Sequence, residues 1–141
     1  MNNFKQEIYN AALQYTNNGW LVFPLHSIDD KGICTCGIEA CTDAGKHPRG
    51  QRGLKEASKD RDKIDSWFGE SSPLSNIAIV TGEVSDITVL DIDIGEGKKG
   101  AESWAEAIAG HGEPDTLSAT TGSGGLHFIF RYNSALKTSG N

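Results

Sequence analysis

The feature that most constrains the fold is a strongly strand-like run that ends in two carboxylates, Ile87-Thr-Val-Leu-Asp-Ile-Asp93. Side chains two residues apart on a strand share a face, so Asp91 and Asp93 are predicted to lie side by side. Hard oxygen ligands in this arrangement suit Mg²⁺ or Mn²⁺. Repulsion between the two charges favours a bound cation, although a strand that simply ends in solvated aspartates would show the same pattern.

A second strand-like run, Leu126 to Tyr132, follows the glycine turn Gly122-Ser-Gly-Gly125 and carries His127. Alternation places His127 on the face opposite Phe128. Glycines let backbone N–H groups approach an anion closely, and a histidine beside them suits phosphate. The candidate phosphate-binding residues of this segment are Gly122, Ser123, Gly124, Gly125 and His127. An ordinary flexible hairpin turn with a structural histidine is the alternative.

Three cysteines and a histidine fall in a long segment without periodicity, residues 26 to 53. Cys34, Cys36, Cys41 and His47 together would complete a closed tetrahedral zinc site, which would anchor this otherwise irregular loop. The alternatives are free buried thiols, or a disulfide from Cys41 to Cys34 or Cys36. The odd number of cysteines disfavours a disulfide framework.

The charge is unevenly distributed along the chain. A formal net charge of −6 over 141 residues argues against a protein that coats nucleic acid generically, yet seven of the thirteen lysines and arginines lie between Lys46 and Lys63. Lys46 and Arg49, next to the cysteine loop, are candidates for neutralising phosphates. A solvated charged loop is the alternative.

The order of elements predicts one α+β domain with a mainly antiparallel sheet. A helix closed by Gly19 precedes a strand over 20–25, and a second helix capped by Ser58 or Asp60 follows the long loop. Two hairpins are predicted, and a helix over 101–108 separates them. The first hairpin pairs 77–80 with 87–93, and the second pairs 117–121 with 126–132.

Targeting and membrane signals are not recognisable in the sequence. The start of the chain lacks a basic segment followed by an apolar one, and no run approaches the roughly 18 apolar residues that span a membrane. We therefore expect a cytoplasmic protein without a membrane partner.

Taken together, these motifs resemble the bifunctional DNA primase/polymerase N-terminal (prim-pol) family of the archaeo-eukaryotic primase superfamily. The resemblance covers nearly all of residues 5 to 132, and the matching pieces occur in the family's order. They are Gly19-Trp-Leu-Val-Phe-Pro-Leu25, the cysteine loop with Gly45-Lys-His-Pro48, Trp67-Phe68, Asn76-Ile-Ala-Ile-Val-Thr-Gly82, Val89-Leu-Asp-Ile-Asp93 and Thr120-Thr-Gly-Ser-Gly-Gly-Leu-His-Phe-Ile-Phe130.

The resemblance implies an RRM-like catalytic core with an extra N-terminal α/β part and a zinc-loop insertion at about 26–53. Asp91 and Asp93 match the family's first metal-binding motif, and His127 matches the histidine of the second, which contacts the phosphates of the incoming nucleotide. Gly125-Leu-His127 stands where Ser-x-His is usual. The third motif, another acidic ligand on a later strand, is expected beyond Asn141. Residues 1–141 are therefore expected to form a single catalytic domain that is incomplete at its C-terminal end.

The activity implied is template-directed nucleotidyl transfer from nucleoside triphosphates, with Mg²⁺ or Mn²⁺ as cofactor and single-stranded DNA as template. Such proteins serve replication of phages, plasmids or integrated elements and often act with a helicase domain or partner. Two alternatives stay open at this point. One is a non-catalytic module that binds nucleotide or nucleic acid, which the expected absence of the third acid favours for this fragment. The other is a phosphatase-type hydrolase with Asp91 as nucleophile.

Overall fold

The computed structural model describes residues 3–137, and the chain divides after Val80 into two units, Met1–Val80 and Thr81–Asn141. The prediction of one domain over residues 1–141 stays a prediction.

The first unit contains two helices and a two-stranded antiparallel sheet. Its helices and strands, in chain order, are α1 (Asn3–Asn17), β1 (Val22–Leu25), α2 (Arg61–Phe68) and β2 (Asn76–Ile79). A short 3-10 turn over Gly53–Glu56 precedes α2. In the sheet, Val22 lies opposite Ile79 and Leu25 opposite Asn76.

The core of the first unit lies between the two helices and β1. Ala12, Val22, Ile64 and Phe68 are buried together, at 0 to 1% exposure. The helix ends follow the predicted signals, because the Asp60 side chain accepts a hydrogen bond from the Lys63 N–H at 3.2 Å and caps α2. Gly19, at φ +88°, terminates α1 in the left-handed conformation that glycine tolerates best.

A second contact between the helices is polar and exposed. The Tyr9 hydroxyl of α1 donates to the Asp65 carboxylate of α2 at 2.6 Å, and the Arg61 guanidinium lies 2.9 Å from the same oxygen. The hydrogen bond from Tyr9 and the charge and hydrogen bond of Arg61 lower the pKa of Asp65. This network therefore favours the ionised carboxylate and holds the exposed edge of the helix pair.

The second unit is a three-stranded antiparallel sheet with one helix. It contains β3 (Ile87–Ile92), α3 (Gly100–Ile108), β4 (Leu117–Thr120) and β5 (Leu126–Arg131). The sheet order is β3-β5-β4, so β5 is central. Helix α3 covers one face of the sheet, since the Trp104 ring packs 4.8 Å from that of Phe128 on β5. The opposite face bears Asp91, His127 and Ile129.

One of the two predicted hairpins is wrong. Segments 77–80 and 87–93 do not pair with each other: β2 pairs with β1, and β3 pairs with β5. Glycine permits φ +93° at position 82, and the chain then reverses through a 3-10 turn (Glu83–Ser85). Only Gly82 and Ile87 bridge across that turn. The second predicted hairpin is confirmed as β4 and β5, with Thr120 opposite Leu126.

The α+β class with antiparallel sheets is thus confirmed, and residues 26 to 52 form the irregular loop that was predicted. Within residues 3–137, no helix combines the length and the apolar character that crossing a membrane requires.

Replacing Phe68 with alanine should destabilise the first unit by about 3–5 kcal/mol, because the ring is buried and its removal leaves a cavity. Phe4→Ala is the matched control, since Phe4 is 53% exposed on α1 and should change stability by less than about 0.5 kcal/mol. Urea denaturation followed by circular dichroism measures both. Equal effects would contradict this assignment of the core.

Candidate functional site

The first candidate site lies where β3 ends. Asp91 lies directly opposite His127 of β5, and the His127 Nε2 is 3.4 Å from the Asp91 carboxylate. Both side chains are partly exposed, at 61% and 42%. They share the sheet face opposite Phe128, as alternation predicts. The structure therefore brings together the acid and the histidine of two motifs that lie far apart in sequence.

Asp93 lies just past the end of β3 and has its own cationic partner. Its carboxylate accepts from the Lys98 ammonium at 2.9 Å, and both side chains are exposed by more than half. The Asp93 main chain also meets the start of α3, because a Cβ built on Gly100 would lie 2.0 Å from the Asp93 carbonyl oxygen. Only glycine permits this approach. The two ends of the loop of residues 94–99, Asp93 and Gly100, are therefore in contact.

A cleft of about 740 Å³ runs along β3 and includes both aspartates in its lining. Five consecutive residues of the strand, 87 to 91, line it, so it follows the β3 edge that no strand of the described chain occupies. Gly82, Tyr132 and Lys137 line its other parts. The volume falls within the usual range of small-ligand sites, which is roughly 300–1,000 Å³.

The glycine turn lies beside this end of β3. Thr121 organises it, since the Thr121 hydroxyl accepts from the Gly125 N–H at 2.9 Å and lies 3.2 Å from the Ser123 hydroxyl. The Gly124 N–H donates to the Thr121 carbonyl at 2.9 Å. Residues 122–124 are exposed, whereas Gly125 is buried.

Position 125 requires glycine. A Cβ there would lie 2.7 Å from the Ile92 carbonyl oxygen, so glycine lets β5 begin close against the end of β3. The nearest hydroxyl to His127 in sequence is that of Ser123, in the turn itself.

The second candidate site is the cysteine loop of the first unit. The ligand atoms of Cys34, Cys36, Cys41 and His47 all lie within 4.8 Å of one another. His47 Nε2 is 3.5 Å from both Cys34 Sγ and Cys41 Sγ. Tetrahedral zinc with bonds of about 2.3 Å to sulfur and 2.0–2.1 Å to nitrogen would set such S···N pairs about 3.6 Å apart. The donor set and its spacing therefore fit a structural zinc ion.

Electrostatics in this cluster favour metal binding as well. Burial raises the pKa of the Cys34 thiol, but hydrogen bonds from the main chain of Gly45 and Cys36, and from Cys36 and His47 side chains, lower it overall to about 6. A thiolate is the form that binds zinc. Burial and the neighbouring Cys36 and Cys34 raise the pKa of Cys41, which is expected when several thiols share one small site.

Sequence reasoning missed His26 and Asn76, which support this cluster from outside. The His26 ring packs 4.6 Å from that of His47. The main-chain N–H of His26 donates to the His47 carbonyl at 2.9 Å. Burial, together with the nearby His47 and Arg49, lowers the pKa of His26. The Asn76 amide donates to the Gly45 carbonyl at 2.9 Å. No sequence pattern marks either residue, because both contacts arise only once the cysteine loop folds back against β1 and β2.

The two candidate phosphate-binding cations differ in their surroundings. The Arg49 guanidinium donates to the Ser75 hydroxyl at 2.6 Å and to the Pro73 and Trp67 carbonyls at 3.3 and 3.5 Å. It therefore ties the cysteine loop to the segment between α2 and β2. Lys46 is exposed. Phosphate binding by either residue stays a prediction.

The purified protein should carry about one zinc ion per chain, and Cys41→Ser or His47→Ala should each lower its zinc affinity by at least roughly 100-fold. The reason is that each substitution removes one of the four ligands, so the zinc ion loses a strong bond and its complete tetrahedral coordination. Zinc content by mass spectrometry and the spectrum of Co²⁺-substituted protein measure this. His111→Ala, which removes an exposed histidine of the second unit, should have no effect. A metal-free native protein that binds no Zn²⁺ would contradict the assignment.

Comparison with protein families adds the last observation. The family described as "Bifunctional DNA primase/polymerase, N-terminal" matches residues 12–141. Comparisons with curated proteins and with solved structures gave no match. The family match covers the cysteine cluster, the Asp91–His127 pair, Asp93 and the glycine turn. The chain belongs to the prim-pol family of bifunctional DNA primase/polymerase N-terminal domains.

Proposed function

We propose that this chain is the nucleotide-binding and catalytic part of a DNA primase/polymerase, which transfers nucleotidyl groups from nucleoside triphosphates under the direction of a template. The observation that carries the proposal is the Asp91–His127 register across β3 and β5, with Asp93 two residues further on. On this exposed sheet face Asp91 would supply a metal-type oxygen ligand and His127 a phosphate-type donor, and Asp93 would supply a second oxygen ligand just past the end of the strand. Family membership supports the reaction class.

Asp91 and Asp93 would hold the divalent cations, Mg²⁺ or Mn²⁺. Their carboxylates are exposed and hard, which is the donor chemistry that these ions prefer. When bound, such ions activate the attacking hydroxyl and stabilise charge on the reacting phosphate. Two carboxylates leave coordination positions for the nucleotide and for the third acid that the family pattern places on a later strand.

His127 and the glycine turn would hold the triphosphate. The Nε2 of His127 reaches the Asp91 carboxylate, so an anion near that acid lies within reach of the imidazole. Residues 122–124 are exposed at the adjacent chain reversal, and the Ser123 hydroxyl can donate a hydrogen bond to phosphate. The metal ions would offset the phosphate charge, and the imidazole would donate a hydrogen bond to a phosphate oxygen.

The proposal includes the architecture of the domain. Strand β3, helix α3 and strands β4 and β5 would form part of an RRM-like core, and the unit Met1–Val80 the extra N-terminal α/β part. The open edge of β3 would accept the later strand. The cysteine cluster would bind zinc for stability and take no part in chemistry, because a closed site with four protein ligands leaves no position for a substrate.

The proposed partners are nucleoside triphosphates and a single-stranded DNA template, with the exposed Lys46 among the template contacts. A cytoplasmic location, a helicase domain or partner, and a role in replicating a phage, plasmid or integrated element complete the proposal.

A non-catalytic binding module is the second candidate. It is favoured by one observation, since the Lys98 ammonium already offsets the charge of Asp93, and His127 already lies against Asp91, both without a metal ion. The phosphatase alternative gains no such support. Its nucleophile belongs on a central strand of an open α/β sheet, whereas β3 is an edge strand of an antiparallel sheet in the described chain.

The Asp91→Asn/Asp93→Asn double variant should bind deoxynucleoside triphosphates in Mn²⁺ about 10- to 100-fold more weakly than the unsubstituted protein, because it lacks the charges that hold the ions. Calorimetry with and without Mn²⁺ measures the difference. Asp115→Asn, which neutralises an exposed aspartate of the same unit, is the matched control and should bind normally.

The outcomes separate the two candidate functions. Metal-dependent binding that the double variant loses would support the polymerase-type site. Nucleotide binding that is equal with and without Mn²⁺, and equal in the double variant, would favour the binding module and overturn the proposal.

A further inference from the structure

The ion pair between Lys98 and Asp93 is the feature that the proposed function does not use. The Lys98 ammonium lies 2.9 Å from the Asp93 carboxylate, on an oxygen that the proposed function gives to a divalent ion. An ammonium and a metal ion cannot occupy the same carboxylate lone pairs at once. A divalent ion that takes Oδ2 must therefore displace the ammonium, and one that takes Oδ1 would bind beside a like charge.

The backbone keeps Lys98 close to this carboxylate. Residues 94–99 form a loop whose ends meet, because the start of α3 at Gly100 packs directly against the Asp93 main chain. Within the loop, Gly97 has φ +75°, and the Lys98 N–H donates to the Gly95 carbonyl at 3.1 Å. A closed loop of six residues gives the ammonium a high local concentration at Asp93 even when another ligand displaces it.

The pair is nevertheless easy to open. The side chains of Lys98 and Asp93 are 54% and 61% exposed, and exposed ion pairs contribute little to stability. A divalent ion bound jointly by Asp91 and Asp93 would gain more from the same oxygens than a solvated ammonium does. The displaced Lys98 ammonium would stay close to the ion, because the loop holds its main chain there. The phosphates of a nucleotide bound to that ion would then supply the negative charge that pairs with the ammonium.

We propose that Lys98 is a tethered counter-ion that neutralises Asp93 until a divalent ion binds, and that it then contacts the phosphates of the nucleotide. This inference rests on the proposed function, because it takes Asp91 and Asp93 as the metal ligands. It gives the loop between β3 and α3 a role in the order of binding. The metal ion takes Asp93 from the ion pair, and the nucleotide then takes Lys98.

Lys98→Met should change the two affinities in opposite directions. Mn²⁺ alone should bind about 3- to 5-fold more tightly, because its competitor is gone. In saturating Mn²⁺, deoxyadenosine triphosphate should bind about 10-fold more weakly, because a charged phosphate contact is lost. Free Mn²⁺ by electron paramagnetic resonance gives the first affinity, and calorimetry gives the second.

Lys99→Met is the matched control, since Lys99 is the adjacent exposed lysine and its loss changes the net charge equally. Its carbonyl accepts the Ser103 N–H of α3 and does not depend on the side chain. Both affinities should change by less than about 2-fold in this variant. Similar changes in both variants would show a general charge effect and overturn the inference, as would unchanged or weaker Mn²⁺ binding by Lys98→Met, or unweakened binding of the nucleotide.

Failure of the proposed function gives a different result. If the unsubstituted protein binds no Mn²⁺, or binds it equally after Asp91→Asn/Asp93→Asn, both the site and the inference fall. If that double variant loses Mn²⁺ binding while Lys98→Met behaves like Lys99→Met, only the inference falls.

Discussion

The antiparallel pairing of β3 with the central strand β5 is the interaction on which the candidate site depends. It sets Leu90 against Phe128 on the face that α3 covers and Asp91 against His127 on the other. Because side chains alternate along a strand, a slip of β3 by one residue would turn Asp91 toward the face that α3 covers and away from His127. Burial of Phe128 therefore fixes the register, and the register positions the polar pair.

Local signals in the sequence predicted the elements better than their pairing. The Asp60 cap, the Gly19 helix end and the glycine turn before β5 each act within a few residues, and each lies where predicted. The pairing of β2 depends on β1, more than fifty residues earlier, and periodicity carries no information about such a partner. Two strands separated by a short turn favour a hairpin, but here each of the two strands pairs with a different partner, β2 with β1 and β3 with β5.

The same distinction applies to the site residues. Cys34, Cys36, Cys41 and His47 are close in sequence, so their clustering could be predicted from residue type and spacing. The supports from His26 and Asn76 could not, because they depend on how the loop packs against the end of β1 and the start of β2. Phosphate binding by Arg49 stays a prediction from its charge, and the hydrogen bond from its guanidinium to Ser75 is a contact that the sequence does not indicate. The Asp93–Lys98 pair likewise needed the closed loop before α3 to become visible.

The most direct test of the central claim is to locate Mn²⁺ on the zinc-saturated protein by paramagnetic broadening in a ¹⁵N-resolved NMR spectrum. The account predicts that the amides around Asp91, Asp93 and His127 broaden first, at substoichiometric Mn²⁺, and that Asp91→Asn/Asp93→Asn abolishes the effect. Broadening that spares the end of β3, or that spreads evenly over the acidic surface of the chain, would contradict the claim that this sheet face binds the metal.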